Sequence, residues 1–577
     1  MIKTRLAVAL SLALLTVSNV HGAKYKVVEL PVADKGYNSF PTAINESGNI
    51  TVNVKEPYNT PIDIELLDFE QESFTDNLTD IDAAKSGNFN LADYSYVLSG
   101  LTSNQGSQFI QKIANITSYS ATEVESSFIP GFGSMNADGQ PMMDTGTLIT
   151  DINEAGYTVG RSQGGFYKLP YVFAEGTEEE TNTTFVLSDF STHGFVSING
   201  QIIDLLPIDV TLGGISDATG INNNNQVVGF GTTFFDSEAV QTSIDTCVDE
   251  ELNDQGVLPR GDLPVESCIS SLFTAYASEV SSHSQIRGLI WQLDDSGNII
   301  ETKELGLLLT PDAEDESKYN SSAVAINDNG IAVGQAPGEY VSGDTTVIRN
   351  YAVVYNGDEV INITPDVDIN IARSTTTLST ASDINNNDLV VGYQPKSING
   401  SFRTKFFVYD VNTSELTFPE DFFLGSSSVA FDINNHGQVV GYGEIEATQT
   451  ARRTGGFIYD HQTQEFSGLN DMIGCDSPYS IVQANAINDS GEIAATALIQ
   501  APLRNVRGDL LLNDDGTEIL RDQVVAVKLE PIVGGTIDDC EGPETGENRE
   551  RQGASLIWLL PLSLGLLLVR RRKVKSL

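Results

Sequence analysis

Few side chains in this 577-residue sequence are suited to covalent chemistry. One of its five histidines, His21, sits in an apolar leader; the others are His193, His283, His436 and His461. A serine nucleophile needs a histidine and a carboxylate in contact with it. His193 and His436 occupy repeat positions where other copies carry Lys, Arg, Gly, Asn or Ser, and His461 follows Asp460 in a strand-turn slot. His283, within Ser281-Ser282-His283-Ser284, is the one histidine that the repeat does not require, and so the one candidate base. The chain has no H-E-x-x-H, no paired-cysteine zinc pattern, no P-loop and no dinucleotide fingerprint. No catalytic, cofactor-binding or metal-ligating residue is therefore assigned. Acid–base chemistry on a glycan needs only two carboxylates at a set separation, and 79 Asp plus Glu leave that alternative open. Oxygen-rich turns also suit calcium, although no turn shows the D-x-D-x-D-G run with its distal Glu. A calcium-stabilised adhesive protein is a second alternative.

The polar residues that do recur lie in turns. The stretch Phe431-Asp432-Ile433-Asn434-Asn435-His436-Gly437-Gln438-Val439-Val440-Gly441-Tyr442 has degenerate copies at 41–53, 150–160, 218–230, 323–334, 381–393 and 484–496. Its marker asparagines are Asn45, Asn153, Asn222, Asn327, Asn385, Asn434 and Asn488, the last four spaced by 58, 49 and 54 residues. A unit near 50 residues is a signature of propellers and solenoids. Each copy reads as a short strand, an Asn/Asp turn closed by Gly, and a second β-branched strand: a hairpin. A third strand follows at Phe195-Val196, Leu289-Ile290-Trp291, Val353-Val354-Tyr355, Phe407-Val408-Tyr409 and Phe457-Ile458-Tyr459, and a weaker fourth at Leu416-Thr417-Phe418. Four strands make one propeller blade, whose two apolar faces are buried only by neighbouring blades. The expected fold is all-β, a propeller of about seven blades over residues 24–535; a β-solenoid or two β-sandwiches are the alternatives. Structural duty is the expected role of the turn asparagines.

Two non-repetitive stretches interrupt the array, at about 54–130 and 231–286. The first reads as short helices or as a blade whose motif has drifted. The second holds Cys247 and Cys268 around an acidic loop; Cys475 and Cys540 bracket the last hairpin copy. In an exported protein four cysteines allow three pairings, and nearest neighbours are expected. A loop of about 20 residues closed this way is stabilised by around 3 kcal/mol. Tyr25–Leu30 and Val524–Leu529 look alike as apolar strands, so the termini could close a ring together.

The ends carry addresses. Lys3 and Arg5, an apolar run over 6–17 and small residues at Gly22 and Ala23 make a signal peptide over residues 1–23. After a polar linker at 536–552, the tail 553–577 has Gly553-Ala554-Ser555, an apolar run over 556–569 and the basic cluster Arg570, Arg571, Arg572 and Lys573. The run is marginal for a bilayer, which needs about 20 residues; a basic flank of this kind stays cytoplasmic. Without leader and tail, 25 basic side chains face 79 acidic ones. Such a body repels phosphate backbones, which excludes nucleic acid as a partner.

This tail, with its small-residue motif, short hydrophobic segment and arginine cluster, resembles the C-terminal GlyGly sorting signal of Gram-negative bacteria, with Gly553-Ala554 in place of the double Gly. The resemblance implies cleavage by a rhomboid-type protease, passage through secretion machinery, contact with the inner membrane only through the unprocessed tail, and a final place at the cell surface or outside the cell. His193-Gly194-Phe195 and Ala323-Val324-Ala325-Ile326-Asn327-Asp328-Asn329-Gly330-Ile331-Ala332-Val333-Gly334 resemble extracellular repeats named for a His-Ala-Phe triplet. Taken whole, the chain resembles an uncharacterised family of exported proteins of marine gammaproteobacteria that joins such repeats to such a tail. The expected function is non-catalytic: binding a surface glycan or protein, or a structural role, through loops on a propeller scaffold. The long inserts are where such binding is expected, because insertions in repeat proteins gather on one face.

Overall fold

The computed structural model describes residues 23–537, apart from 137–138, 175–179, 277–282, 313, 316 and 447–451. The leader, Cys540 and the sorting motif at Gly553, Ala554 and Ser555 lie outside the described residues. Among the described residues no helix is long and apolar enough to cross a membrane.

Seven four-stranded antiparallel sheets form a closed β-propeller. Six blades run consecutively from an inner to an outer strand; their inner strands are Gly36–Ile44, Thr147–Ile152, Ser216–Ile221, Ser322–Ile326, Thr380–Ile384 and Ser428–Ile433. The seventh is built from both ends of the chain. Ser480–Ile487, Ile493–Pro502 and Leu520–Pro531 supply three strands, and the N-terminal strand Tyr25–Glu29 pairs antiparallel with the third as the outer edge. Each hairpin copy thus makes the inner half of one blade. The long gaps in the repeat hide no drifted blade, because 116–121 and 126–129 are simply the outer strands of blade 1.

The Val-Val-Gly triplet explains the stacking. Val439 packs with Val391, Phe406 and Phe457 on one side of blade 6, whereas Val440 packs with Ile481 and Ala484 on the other. Val390 and Val391 divide likewise, as do Val227 and Val228. Successive strand residues point to opposite faces, so a doublet of valines fills two inter-blade cores at once. The glycine that follows is required by contact. Every inner strand carries a register shift three residues before its marker asparagine, as between Ala430 and Asp432. In blade 6 a Cβ on Gly441 would lie 2.0 Å from the Val429 carbonyl oxygen; at Gly229 the gap to Asp217 is 1.8 Å. The two blades that meet at ring closure depart from the triplet, with Val52 and Ala495.

Two kinds of connection separate the two faces of the ring. Turns from the first to the second strand, and from the third to the fourth, are short. The other face carries the connections between second and third strands and those between blades, and the insertions gather there. Blade 1 inserts residues 58–115, with α1 (Glu72–Thr75), α2 (Ile81–Lys85) and α3 (Leu91–Ser103). Blade 2 inserts a separate hairpin, Tyr167–Phe173 with Thr181–Leu187. Blade 3 inserts α4 (Ser237–Val248) and α5 (Val265–Tyr276). These bounds narrow the inserts expected at 54–130 and 231–286. The blade 2 hairpin is not foreseen by the repeat analysis, because its alternating Tyr and Thr read as ordinary strand.

Candidate binding cleft and the two faces of the ring

The marker asparagines form a closed circuit. Nδ2 of Asn45 donates to the Asn153 carbonyl, Asn153 to Asn222, Asn222 to Asn327, Asn327 to Asn385, Asn385 to Asn434, Asn434 to Asn488, and Asn488 back to Asn45. The seven bonds span 2.9–3.2 Å, and every one of these asparagines is buried. The amide oxygen is also used: in blade 6, Oδ1 of Asn434 accepts the N–H groups of His436 and Gln438, shaping the turn. An aspartate could keep the second role but has no donor for the first. The turn then needs a left-handed residue three positions on. Gly437 supplies it at φ 78°, and in blades 3 and 5 Asn225 and Asp388 do so instead.

A second circuit runs one residue further along. The backbone N–H groups of Glu46, Glu154, Asn223, Asp328, Asn386, Asn435 and Asp489 each donate to the side-chain oxygen of the same position in the next blade. Burial, with Glu46, Asp489 and Asp328 as further charges beside it, holds the Glu154 carboxyl above its ordinary value. The Asp/Asn content of the turns is thereby spent on the scaffold.

Three carboxylates stand nearer the axis, at Asp151, Asp383 and Asp432, where other blades have Ala43, Gly220, Ala325 and Ala486. Burial pushes Asp151 up to about 7, against the N–H groups of Ile221 and Ile152 that it accepts, and the Asp383 charge adds to the rise. Blades 2 and 5 are not neighbours, so that coupling crosses the ring. Asp432 is likewise raised by burial, then by the charge of Asp383 and a hydrogen bond to it. These groups remain measurably exposed although protein surrounds them, the condition of a side chain facing a narrow channel. Oδ2 of each accepts the N–H of Ile221, Ile433 or Ile487 in the following blade. They act as clasps between inner strands.

The histidines are not brought together. His193 lies at the start of the third strand of blade 2, where blade 3 has Arg287 and blade 5 has Lys405. All three meet a carboxylate: Asp204 at 3.0 Å, Glu304 at 3.5 Å and Asp421 at 2.8 Å. His193 also stacks on Phe190, with ring centroids 3.7 Å apart, and its Nε2 is 2.9 Å from the Gly213 carbonyl. Its role is that of the repeat position. His436 and His461 sit in the short turns of blade 6. His283 closes the foot of the blade 3 insert, its carbonyl accepting the Asp236 N–H and its ring edge-on to Tyr276.

The ring is fastened by ions as well as strands. Nζ of Lys528, in the third strand of blade 7, meets Glu123 of blade 1, Glu492 and Glu530 at 2.5, 3.0 and 3.1 Å. Burial alone would lower this lysine, yet hydrogen bonds to the three carboxylates outweigh it and raise the group. Glu530 falls to about 2 through hydrogen bonding to Glu123, Lys26 and Lys528. Cys247 and Cys268 are bonded between α4 and α5. Cys475 is also disulfide-bonded, while Cys540, its expected partner, lies outside the described residues.

The inserts are tied to one another along the rim. Gln108 and Ser267 join the blade 1 insert to α5, Lys168 of the blade 2 hairpin bridges Asp63 and Glu65, and Asp262 accepts from the Tyr171 hydroxyl and the Ala174 N–H. A connection in blade 7 leans on the same group, with the Arg507 guanidinium 4.3 Å from the Tyr94 ring. Between them opens a cleft of about 1460 Å³. One wall is α3 with Tyr96, Ser99, Gly100, Ser103 and Asn104; the other is the blade 2 hairpin, and Asp262 closes one side. Tyr171, Phe173 and Phe109 converge on buried Phe185, with centroids 4.7–5.9 Å from it. Phe109 is nonetheless 45 % exposed and Tyr96 38 %. Among the described residues no group of three or more His, Cys, Asp or Glu could hold a metal ion.

Comparison with known proteins fixes kinship and nothing chemical. Residues 4–572 match the family described as "Protein of unknown function (DUF3466)". The chain belongs to that family. No curated protein matches it in sequence. Among solved structures it is similar to a mutant of puromycin hydrolase complexed with PGG, at 8 % identity and a TM-score of 0.31, over 68 % of this chain and 47 % of that one. It is also similar to a β-fructofuranosidase of Bombyx mori, BmSUC1, at 12 % identity and a TM-score of 0.24, over 55 % and 62 % of the two chains. The protein thus spans about half to three-fifths of the length of these structures, and likenesses so slight carry no argument about activity.

Proposed function

We propose that this family member is an exported, non-catalytic binding protein that takes its ligand in the cleft between the blade 1 and blade 2 inserts. One observation carries the reading: three consecutive blades place unrelated insertions on one rim, and these enclose a cleft with solvent-facing aromatic rings. Concave sites that set aromatic rings beside convergent polar groups are a usual form of ligand site, and this cleft has both. The carboxyls raised by burial, Asp151 and Asp432, belong to the channel and are engaged by backbone N–H groups. In the cleft, hydrogen bonding to Lys168 and its charge lower Glu65, which favours the carboxylate over an acid able to donate a proton. The leader and tail support export, processing at Gly553-Ala554 by a rhomboid-type protease and release or retention at the cell surface. An intact-mass measurement on the exported form tests the address, and a mass that still includes Arg570–Lys573 overturns it. The binding site is tested by Gly100→Trp. A Cβ at Gly100 meets nothing within 4 Å, so the indole fills the cleft without disturbing α3. Loss of ligand with unchanged stability is expected; undiminished binding overturns the site.

A further inference from the structure

Resting on that reading of the cleft, we infer that its ligand is an uncharged or amine-bearing carbohydrate chain. A sugar ring presents two surfaces, a face of C–H groups and a rim of hydroxyls, and the cleft offers a counterpart to each. The C–H face is met by the Tyr171, Phe173 and Phe109 rings, held at mutual angles by packing on Phe185. Rigid aromatic side chains supply contact area at small entropic cost. The hydroxyl rim is met by short polar side chains on both walls, Ser99, Ser103 and Asn104 from α3 and Asn182 from the hairpin.

The charge of the lining narrows the class. Among the described residues no lysine, arginine or histidine lines the cleft, whereas Glu65, Asp68 and Asp262 do. The one nearby cation of the hairpin, Lys168, is held by Asp63 and Glu65. A phosphorylated, sulfated or uronic ligand would meet a site without a cation, inside a body carrying 79 acidic side chains. Burying an anion without a counter-charge is costly. Neutral hexose polymers and amino sugars carry no such cost. The carboxylates also suit them as paired acceptors for neighbouring hydroxyls, since an ionised carboxylate only accepts.

The test uses the exported protein and three sets of immobilised probes: neutral and amino-sugar oligosaccharides, sulfated or uronic oligosaccharides, and extended peptides. Each set is read with the native chain, Gly100→Trp and Phe109→Ala. The expected result is binding to the first set alone, weakened about tenfold by Phe109→Ala, the loss common for an aromatic anchor, and abolished by Gly100→Trp. Capture of acidic oligosaccharides or peptides that Gly100→Trp abolishes overturns the carbohydrate class and leaves the cleft in place. Binding to any set that Gly100→Trp does not diminish overturns the cleft itself. A native chain that binds none of the three sets overturns the inference.

Discussion

The two faces of this ring are built on opposite principles. On one, seven copies of the same short turn are locked blade to blade by two circuits of hydrogen bonds, and almost every polar side chain has a structural partner. On the other, blades 1, 2 and 3 carry three different insertions, tied by a few pairs such as Gln108 with Ser267. Repetition thus marks the face that makes the ring, and irregularity the face free to bind. The residues that first attract attention in this sequence, the asparagines and aspartates of the repeat, are those least available to a ligand.

That contrast can be broken by mutation, and the largest effect is expected on the repetitive face. Asn434→Ala removes a buried donor to Asn488 and two acceptances within its own turn, at about 1–3 kcal/mol for each buried group left unpaired. A total loss of about 3–4 kcal/mol is expected in denaturant unfolding, with Asn434→Asp intermediate. A loss below about 1 kcal/mol would remove the circuit from the account of stability.

Next comes the seam. Lys528→Met leaves Glu123, Glu492 and Glu530 without the cation they share, only Glu530 keeping a cationic partner in Lys26. Breaking a buried ion cluster costs about 3–5 kcal/mol, and partial exposure of the three glutamates lowers this to about 2–3 kcal/mol. The N-terminal strand Tyr25–Glu29 should lose amide protection first in hydrogen exchange. Uniform loss across all blades would argue that the seam is not a separate weak point.

The channel gives a pH signature. Asp151 is raised to about 7 in the fold and titrates near 3.9 when unfolded, so the folded chain holds the extra proton between those values. Its contribution is fully present below about pH 4, falls as pH rises and is gone above about pH 7; Asp432 acts in the same direction. Asp151→Asn with Asp432→Asn keeps an acceptor for the Ile221 and Ile487 N–H groups, gives up the acceptor for those of Ile152 and Ile433, and removes these two titrations. The variant should show a flatter stability curve between about pH 5 and 8. An unchanged curve would place these carboxyls in ordinary solvent.

The smallest effect is expected on the irregular face. Gly100→Trp, on the exposed side of α3, should change unfolding free energy by no more than about 0.5 kcal/mol, as surface changes do, while closing the cleft. A marked loss of stability would show that the inserts help to hold the ring.

Much of the scaffold was legible because its signal is repeated. Seven copies of Ile-Asn followed by a Gly, Asn or Asp turn, each with a strand doublet, give strand, turn and blade count by local rules: alternation, left-handed turn residues and period. The Val439-Val440 doublet even carries its two-sided burial, since adjacent strand residues face opposite ways. The cleft was legible only as a location. The stretches around 54–130 and 231–286 were recognisable as interruptions, but nothing local links Phe109 to Tyr171 or Ser99 to Asn182. The blade 2 hairpin left no trace, because its strands obey the rules of the blade strands around them.

Residue order alone therefore determined the repeat, the turn chemistry and the acidic composition, the first two of which rest on neighbours within a few positions. Tertiary structure decided the rest. Only in the closed ring do Asn488 and Asn45, 443 residues apart, become hydrogen-bonding neighbours. Only there does Tyr25–Glu29 find Leu520–Pro531, and only there do three inserts from successive blades meet around one cleft. A circuit and a cleft are properties of a closed path, and closure is settled by packing over the whole chain rather than by any segment of it.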